Sequence, residues 1–273
     1  MKKINFSYAS ELEHSFAQRL VIKTIEKVTG KRKLENIYKQ YSQKENDPSN
    51  FWSDIVGIMD IKIINKSKNK IFIPKTGKLI VIANHPFGIV DGLILCSIVS
   101  KVRNDFKIMT HETLKFLPQL EEYILPVDFS GNDKQTLKSN IRTAEKAKTH
   151  LTQQGVLIIF PSGSVSTAKN LKSDAHDDDW KTFPAKLIHQ TKADVLPIYF
   201  DGKNGLLFHI FASKMKSSTL KYSSYIHETR KKIGKEINIY AGKILKYENL
   251  SLTKDRNELI KLLKKITYNL KNE

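Results

Sequence analysis

The chain has one cysteine, Cys96, in 273 residues, so no disulfide can form within it. That scarcity fits a reducing compartment and sets aside the disulfide-stapled secreted scaffolds. Cys96 sits in an apolar segment, where a thiol packs as a small hydrophobe. No run of 18 or more uninterrupted apolar residues occurs. The best candidate, Leu79 to Val99, is interrupted by Asn84, His85, Pro86 and Asp91, which excludes a transmembrane helix there. The first residues, MKKINFSYASELEH, contain no apolar signal segment. Internal repeats and low-complexity segments are absent, as are a Walker loop, zinc-finger spacing and a Gly-x-Ser-x-Gly elbow. Acid is scarce beside base: 28 Asp and Glu against 46 Lys and Arg give a formal charge of +18.

The positive excess is uneven. From Lys203 to the end there are 16 basic and 6 acidic residues, so +10 of the +18 lies there. Such an excess points to an anionic partner surface, either nucleic acid or acidic lipid. With no spanning segment, contact with a membrane is expected from its surface. The expected location is cytoplasmic, peripheral on the inner face of the cytoplasmic membrane.

Apolar periodicity organises the rest. Residues 10–42 read as two amphipathic helices, the first ending at Gly30 and the second striped by Leu34, Ile37, Tyr38 and Tyr41. These stripes can pack into a core. With Lys23, Lys27, Lys31, Arg32, Lys33 and Lys39 around them, they can instead lie at a membrane interface. Beyond the loop at 43–50, a helix is expected over Phe51–Met59 and short strands over Ile61–Ile64 and Ile71–Ile73. Strands follow over Leu79–Ala83, Phe106–Met109, Tyr123–Val127, Val156–Phe160, Val195–Phe200 and Ile237–Ala241. Helices are expected after His85, after Met109 through Leu114, and over Gln135–Gln153, Phe183–Gln190, Ser217–Lys232 and Asp255–Leu270. Strands alternating with helices predict an α/β fold, a mostly parallel central sheet flanked by helices with an N-terminal helical pair. Residues 1–50 are assigned to an N-terminal helical, membrane-interfacial segment. Residues 51–273 are assigned to the α/β domain, which includes the basic C-terminal helix.

Leu79 to Ser97 is the most informative stretch. An apolar strand breaks at Asn84-His85-Pro86-Phe87-Gly88 and resumes as an apolar helix with Asp91 in its first turn. Buried apolar segments rarely admit a His and an Asp unless the two are paired or working. A sharp turn at Pro86 and Gly88 would bring Asp91 to the imidazole. The carboxylate would fix the ring tautomer, and the free nitrogen could accept a proton from a hydroxyl or amine. The bland alternative is a turn histidine beside an acid that favours a helix N-terminus.

The second informative stretch is Phe160-Pro161-Ser162-Gly163-Ser164-Val165-Ser166-Thr167. It follows a strongly apolar strand, and strand ends in α/β sheets are where ligands bind. Gly163 permits close backbone approach, and the hydroxyls suit an anionic or polyhydroxyl group. An ordinary strand-to-helix turn is the alternative. Other patterns are weaker. Ser166-Thr167-Ala168-Lys169 fits a short Ser-x-x-Lys pattern, His111-Glu112 lacks a second His, and His176-Asp177-Asp178-Asp179 could attract a cation, although an acidic run is usually a solvated loop. No metal site is expected.

NHPFGIVDG resembles the first motif of the glycerolipid (lysophospholipid) acyltransferases, the family of bacterial 1-acylglycerol-3-phosphate acyltransferases. Most members place four residues between the His and the Asp. Five stand here, as in the hemolysin-like branch, which includes acyltransferases of amino-acid-containing lipids. Phe160 to Ser166 resembles the third motif, with Ser162 where most members carry Glu and Ser164-Val165 in place of Thr-Arg. Val102 to Lys107, Leu114 to Pro118 and Leu125 to Asp128 resemble the second block. Val195 to Gly202 with Asn204 resembles the fourth, and Tyr225 to Gly242 the closing pattern.

The resemblance implies transfer of a fatty acyl group from a thioester of acyl carrier protein or coenzyme A to a lysolipid hydroxyl, the lysolipid being of lysophosphatidate or amino-acid type. His85 would be the general base and Asp91 its partner. Lys107, Ser162, Gly163, Ser164 and Ser166 would hold the acceptor, with oxyanion donors among the amides at the helix start or near Gly163. No cofactor is implied. Two other readings stay open, a lipid-binding relative without catalysis and a basic nucleic-acid-binding protein.

Overall fold

Leu79 to Ala83 is apolar at every position because both faces of the strand it forms are covered; none of the five residues is exposed. The computed structural model describes residues 30–43, 50–68, 70–111, 120–128, 133–168, 173–206, 208–209 and 218–273. Along these the elements run α1 (Lys31–Ser42), α2 (Phe51–Ile58), β1 (Lys62–Asn65), β2 (Leu79–Ala83), α3 (Ile89–Ser100), β3 (Phe106–His111) and β4 (Ile124–Val127). Then come α4 (Lys134–Thr152), β5 (Val156–Ile159), α5 (Phe183–Thr191), β6 (Asp194–Asp201), α6 (Ser218–Lys231), β7 (Glu236–Ala241), the single turn α7 (Tyr247–Leu250) and α8 (Arg256–Asn269).

The seven strands form one sheet in the order β1-β7-β6-β2-β5-β3-β4. Every neighbouring pair is parallel except β6 and β7, so the edge pair β7 and β1 runs against the other strands. This is the mostly parallel α/β sheet the sequence predicts. β2 lies between β5 and β6, and the chain leaves it in one direction and returns on both sides. The C-terminal end of β2 is therefore the crevice where α/β sheets bind ligands.

Alternate residues of β2 feed two cores. Leu79, Val81 and Ala83 pack with Ile94 and Leu95 of α3, Phe51 and Trp52 of α2 and Ile37 and Tyr41 of α1. Ile80 and Ile82 pack with Ala147 and Leu151 of α4, Leu187 and Ile188 of α5 and Leu259 and Leu263 of α8. The stripe of α1 thus faces the core, with the Tyr41 ring edge-on to Phe51 at 5.0 Å. The first helix of the expected N-terminal pair lies outside the described residues, as does most of the helix expected through Leu114. On α8, Leu259 and Leu263 are buried, and Leu270 just beyond it, while Leu262 is left outside. Ile71–Ile73, expected as a strand, is irregular: Ile73 is buried, but Phe72 is 67% exposed.

Arg103 fastens the starts of three central strands. Its buried guanidinium donates to the carbonyls of Gly77 at 2.7 Å and Gln154, and to the Asp105 carboxylate, the last at 2.8 Å through Nε. Gly77, Asp105 and Gln154 precede β2, β3 and β5. Arg103→Met strips these acceptors of their donor and is expected to lower the free energy of unfolding by about 2–3 kcal/mol. Turnover per folded molecule should not change, since His85 lies at the other edge of the sheet. Denaturant unfolding with parallel kinetics checks this.

Candidate active site

At the end of β2, Asn84 is clamped onto β6. Its amide Nδ2 donates to the Phe200 carbonyl at 2.9 Å, and its Oδ1 accepts from the Phe200 amide at 2.7 Å. The clamp delivers His85 to the C-terminal edge of the sheet. The chain then turns at Gly88 (φ +71°), where a Cβ would stand 3.3 Å from Val165 Cγ2. A side chain there would be strained and crowded, so glycine closes the turn.

That turn folds the start of α3 back onto the loop. Asp91 Oδ2 stands 3.0 Å from His85 Nδ1 and accepts the amides of Phe87 at 2.8 Å and Gly88 at 3.0 Å. Asp91 is fully buried, and its other oxygen, Oδ1, has no partner among the described residues. Burial pushes its pKa up, against the His85 bond and charge and the two amides, which pull it down. An ionised Asp91 can only accept, so Nδ1–H donates to it and Nε2 is left as the acceptor nitrogen. The imidazole stacks on Phe160 at 4.0 Å between ring centroids, and 18% of its side chain stays open to solvent. With the ring oriented by Asp91 and no described residue bonded to Nε2, the arrangement can accept a proton from a hydroxyl or amine that reaches it.

The loop after β5 holds the main chain of His85. The Ser166 amide donates to the His85 carbonyl at 2.8 Å, and Asp177 Oδ1 accepts the His85 amide at 3.1 Å. Asp177 was hidden in the sequence by its acidic neighbours. Trp180 and Ser166 donate to it from nearby in the chain, but the His85 amide lies 92 residues away, so no local signal ties Asp177 to the imidazole.

The other candidates separate. Ser162 is buried, and its hydroxyl donates to the Ser164 carbonyl at 2.7 Å. Ser166 is fully buried, and its hydroxyl donates to Asp177. Gly163 is exposed at the tip of the turn, and Ser164, half-buried, donates to Asp178 at 3.0 Å. Lys107 is not brought to this cluster. It is the second residue of β3, level with Leu157 and, through it, with Ile80, and its Nζ donates to the Glu122 carbonyl at 2.6 Å. The amides of Phe87 and Gly88 are engaged by Asp91, and that of Gly163 by the Phe160 carbonyl at 3.1 Å. Among the described residues no cluster of three or more His, Cys, Asp or Glu is placed to hold a metal.

Two further groups crowd the loop. Lys232 Nζ lies 4.1 Å from the centroid of the Phe87 ring and donates to the Lys203 carbonyl at 3.2 Å; burial lowers its pKa. Gly202 approaches the same ring from β6, where a Cβ would meet it at 2.6 Å. A groove of about 310 Å³, lined by Ile63, Ile71, Ile73, Ile98, Lys101 and Val102, runs beside the far end of α3 and includes none of the residues around His85.

A family model described as Acyltransferase matches residues 8–273. Lyso-glycine lipid O-acyltransferases of Phocaeicola vulgatus and Bacteroides thetaiotaomicron are each 23% identical to the chain over 264 residues. The alignments cover 94% of this chain and 90% and 92% of those proteins. The crystal structure of the 1-acyl-sn-glycerophosphate (LPA) acyltransferase of Thermotoga maritima overlays with a TM-score of 0.49 at 14% identity, covering 93% of this chain and 96% of that one. The family match runs unbroken to the last residue and takes in the strand, the His85 turn, α3 and the loop after β5, and on that match the chain belongs to the Acyltransferase family.

Proposed function

We propose that this acyltransferase moves a fatty acyl group from a thioester of acyl carrier protein or coenzyme A to the hydroxyl of a lysolipid, with His85 as general base and Asp91 as its partner. The observation that carries the reading is the 3.0 Å contact between His85 Nδ1 and a fully buried Asp91, with the imidazole still open to solvent. Nε2 takes the proton of the acceptor hydroxyl as its oxygen attacks the thioester carbonyl. The tetrahedral intermediate collapses, the C–S bond breaks, and the imidazolium returns the proton to the leaving sulfur. Asp91 balances the charge on the ring while it is protonated. The thioester is itself the activated donor, so the reaction asks for no bound cofactor and no covalent enzyme intermediate.

The curated relatives named for a lyso-glycine lipid favour an amino-acid lysolipid over lysophosphatidate as acceptor. Gly163 and Ser164, at the open tip of the loop after β5, are best placed to meet its headgroup. The test is incubation with labelled acyl carrier protein and coenzyme A thioesters against a panel of lysolipids. Labelled diacyl product is expected from one acceptor class. Lysolipid binding without transfer would mark a non-catalytic relative. Salt-sensitive duplex binding indifferent to His85 would mark a nucleic-acid-binding protein.

The lipid would be met at a membrane surface. No described helix is long and apolar enough to cross a bilayer. Between Asp60 and Asp91 the chain carries six lysines and no acid. Lys62, Lys66, Lys68, Lys70 and Lys75 are exposed, as is Phe72, whose chain neighbours Ile71 and Ile73 line the apolar groove. An exposed aromatic in a stretch of exposed lysines suits anionic headgroups over hydrocarbon. Binding to vesicles containing phosphatidylglycerol should weaken as salt rises, and Phe72→Asp should weaken it about fivefold at constant salt. Co-sedimentation measures both; absent or salt-independent binding counts against the membrane reading.

A further inference from the structure

Asp177 is a buried carboxylate that the proton-transfer scheme does not use. Its Oδ1 accepts the His85 amide at 3.1 Å and the Ser166 hydroxyl, and its Oδ2 accepts Trp180 Nε1 at 2.7 Å. All these donors are neutral, and an ionised group so deeply placed is expensive to keep. A carboxylate suits the place because both its oxygens only accept. An amide would turn an N–H toward one of the donors.

The same segment grips His85 twice. Ser166 and Asp177 are 11 residues apart, yet the first donates to the His85 carbonyl and the second accepts from the His85 amide. They are held in step by their own hydrogen bond and by paired main-chain bonds between Thr167 and His176 at 2.9 and 3.0 Å. Behind them stands α8. The Asp177 amide donates to the Tyr268 hydroxyl at 2.8 Å, and Lys264 Nζ donates to the Asp177 carbonyl at 3.0 Å. We infer that Asp177 is a positioning residue for His85: it fixes the main chain that carries the imidazole, with α8 as its anchor, while Asp91 fixes the ring. This rests on the general-base reading of His85. A loosened main chain displaces Nε2 from the line of attack, and a displacement of about 1 Å is enough to cost up to roughly 10²-fold in rate.

The test compares Asp177→Asn with the wild-type chain. It reads kcat, the KM values for thioester and lysolipid, the thermal midpoint, and the ¹⁵N-correlated imidazole resonances of His85. Leu151→Ala, fully buried on α4 near the start of β5, serves as a control for stability alone. Asp177→Asn is expected to lower kcat at least tenfold, change each KM less than threefold, and shift the His85 resonances. Leu151→Ala should lower the midpoint while kcat and the resonances stay. If Asp177→Asn does not fold, Ser166→Ala removes one donor and keeps the carboxylate. It should lower kcat severalfold and move the same resonances. Unmoved resonances, an unchanged kcat, or a loss of kcat matched by Leu151→Ala at equal midpoint would overturn the inference. A wild-type chain that transfers no acyl group would instead refute the proposed reaction, and the resonances would still decide whether Asp177 sets the ring.

Discussion

His85→Ala is expected to reduce acyl transfer by about 10²–10⁴-fold, the usual worth of a general base. The fold should survive. The side chain leaves a site that is already partly open, and the groups it touches keep other partners. Asp91 Oδ2 still accepts the Phe87 and Gly88 amides, and the main chain at position 85 still bonds Ser166 and Asp177. What is lost is the stack on Phe160 and one hydrogen bond to a buried carboxylate, together about 1–3 kcal/mol. Single-turnover kinetics with thioester and lysolipid, run beside a thermal melt, measure both quantities. Wild-type turnover by a folded His85→Ala protein would end the mechanism.

The His85–Asp91 pair was readable because it is local. A strand, a turn and the first turn of a helix fix its geometry, and each leaves a signal in the sequence. The same holds for β2, β5 and β6, whose unbroken apolar runs reflect cover on both faces of the sheet. Relations across the sheet left no such signal. Lys107 is part of the second-block resemblance, but strand direction puts the start of β3 at the end of the sheet away from His85. The hydroxyls of Ser162 and Ser166 looked like ligand contacts, yet they point into the loop they stabilise. Asn84 read as part of a turn, although it clamps Phe200, 116 residues away. Asp177 read as solvated charge because its link to the site, the His85 amide 92 residues away, is made only by tertiary folding.

Charge shows the same limit. The basic excess of the last quarter suggested a surface for anions. Part of it turns inward or is neutralised: Lys264 donates to the carbonyls of Asp177 and Asp178, Lys271 pairs with Asp201 at 2.9 Å, and Lys246 pairs with Asp194 at 2.7 Å. The last quarter exposes nine basic residues among the described ones, but five exposed acids stand with them, whereas the stretch between Asp60 and Asp91 exposes five lysines and has no acid. Net charge by segment therefore overstates the cationic surface of the last quarter, because it does not count the partners that folding supplies.

Asp91→Asn should cost about 10²–10³-fold in kcat and nothing in fold. The amide oxygen can take the place of Oδ2 and accept Nδ1–H and the two main-chain amides. The NH₂ group then enters the place of Oδ1, where no described donor opposes it. The tautomer is kept, so the loss is that of a negative charge beside the imidazolium. At about 4 Å and an effective dielectric near 20, that charge is worth at most about 4 kcal/mol. Stability should move the other way. Burial raises the pKa of Asp91 above its unfolded value, so the folded chain holds the proton more readily. Between the unfolded value, about 4, and the raised folded one, wild-type stability falls as pH rises. Asn has no such penalty, and its thermal midpoint relative to wild type should climb as pH rises through that window. Asp91→Ala, by contrast, strips the Phe87 and Gly88 amides of their acceptor and should lower the midpoint at neutral pH. An Asp91→Asn protein that keeps wild-type kcat would show that the imidazole needs no anionic partner, and Asp91 would be left as the cap of α3.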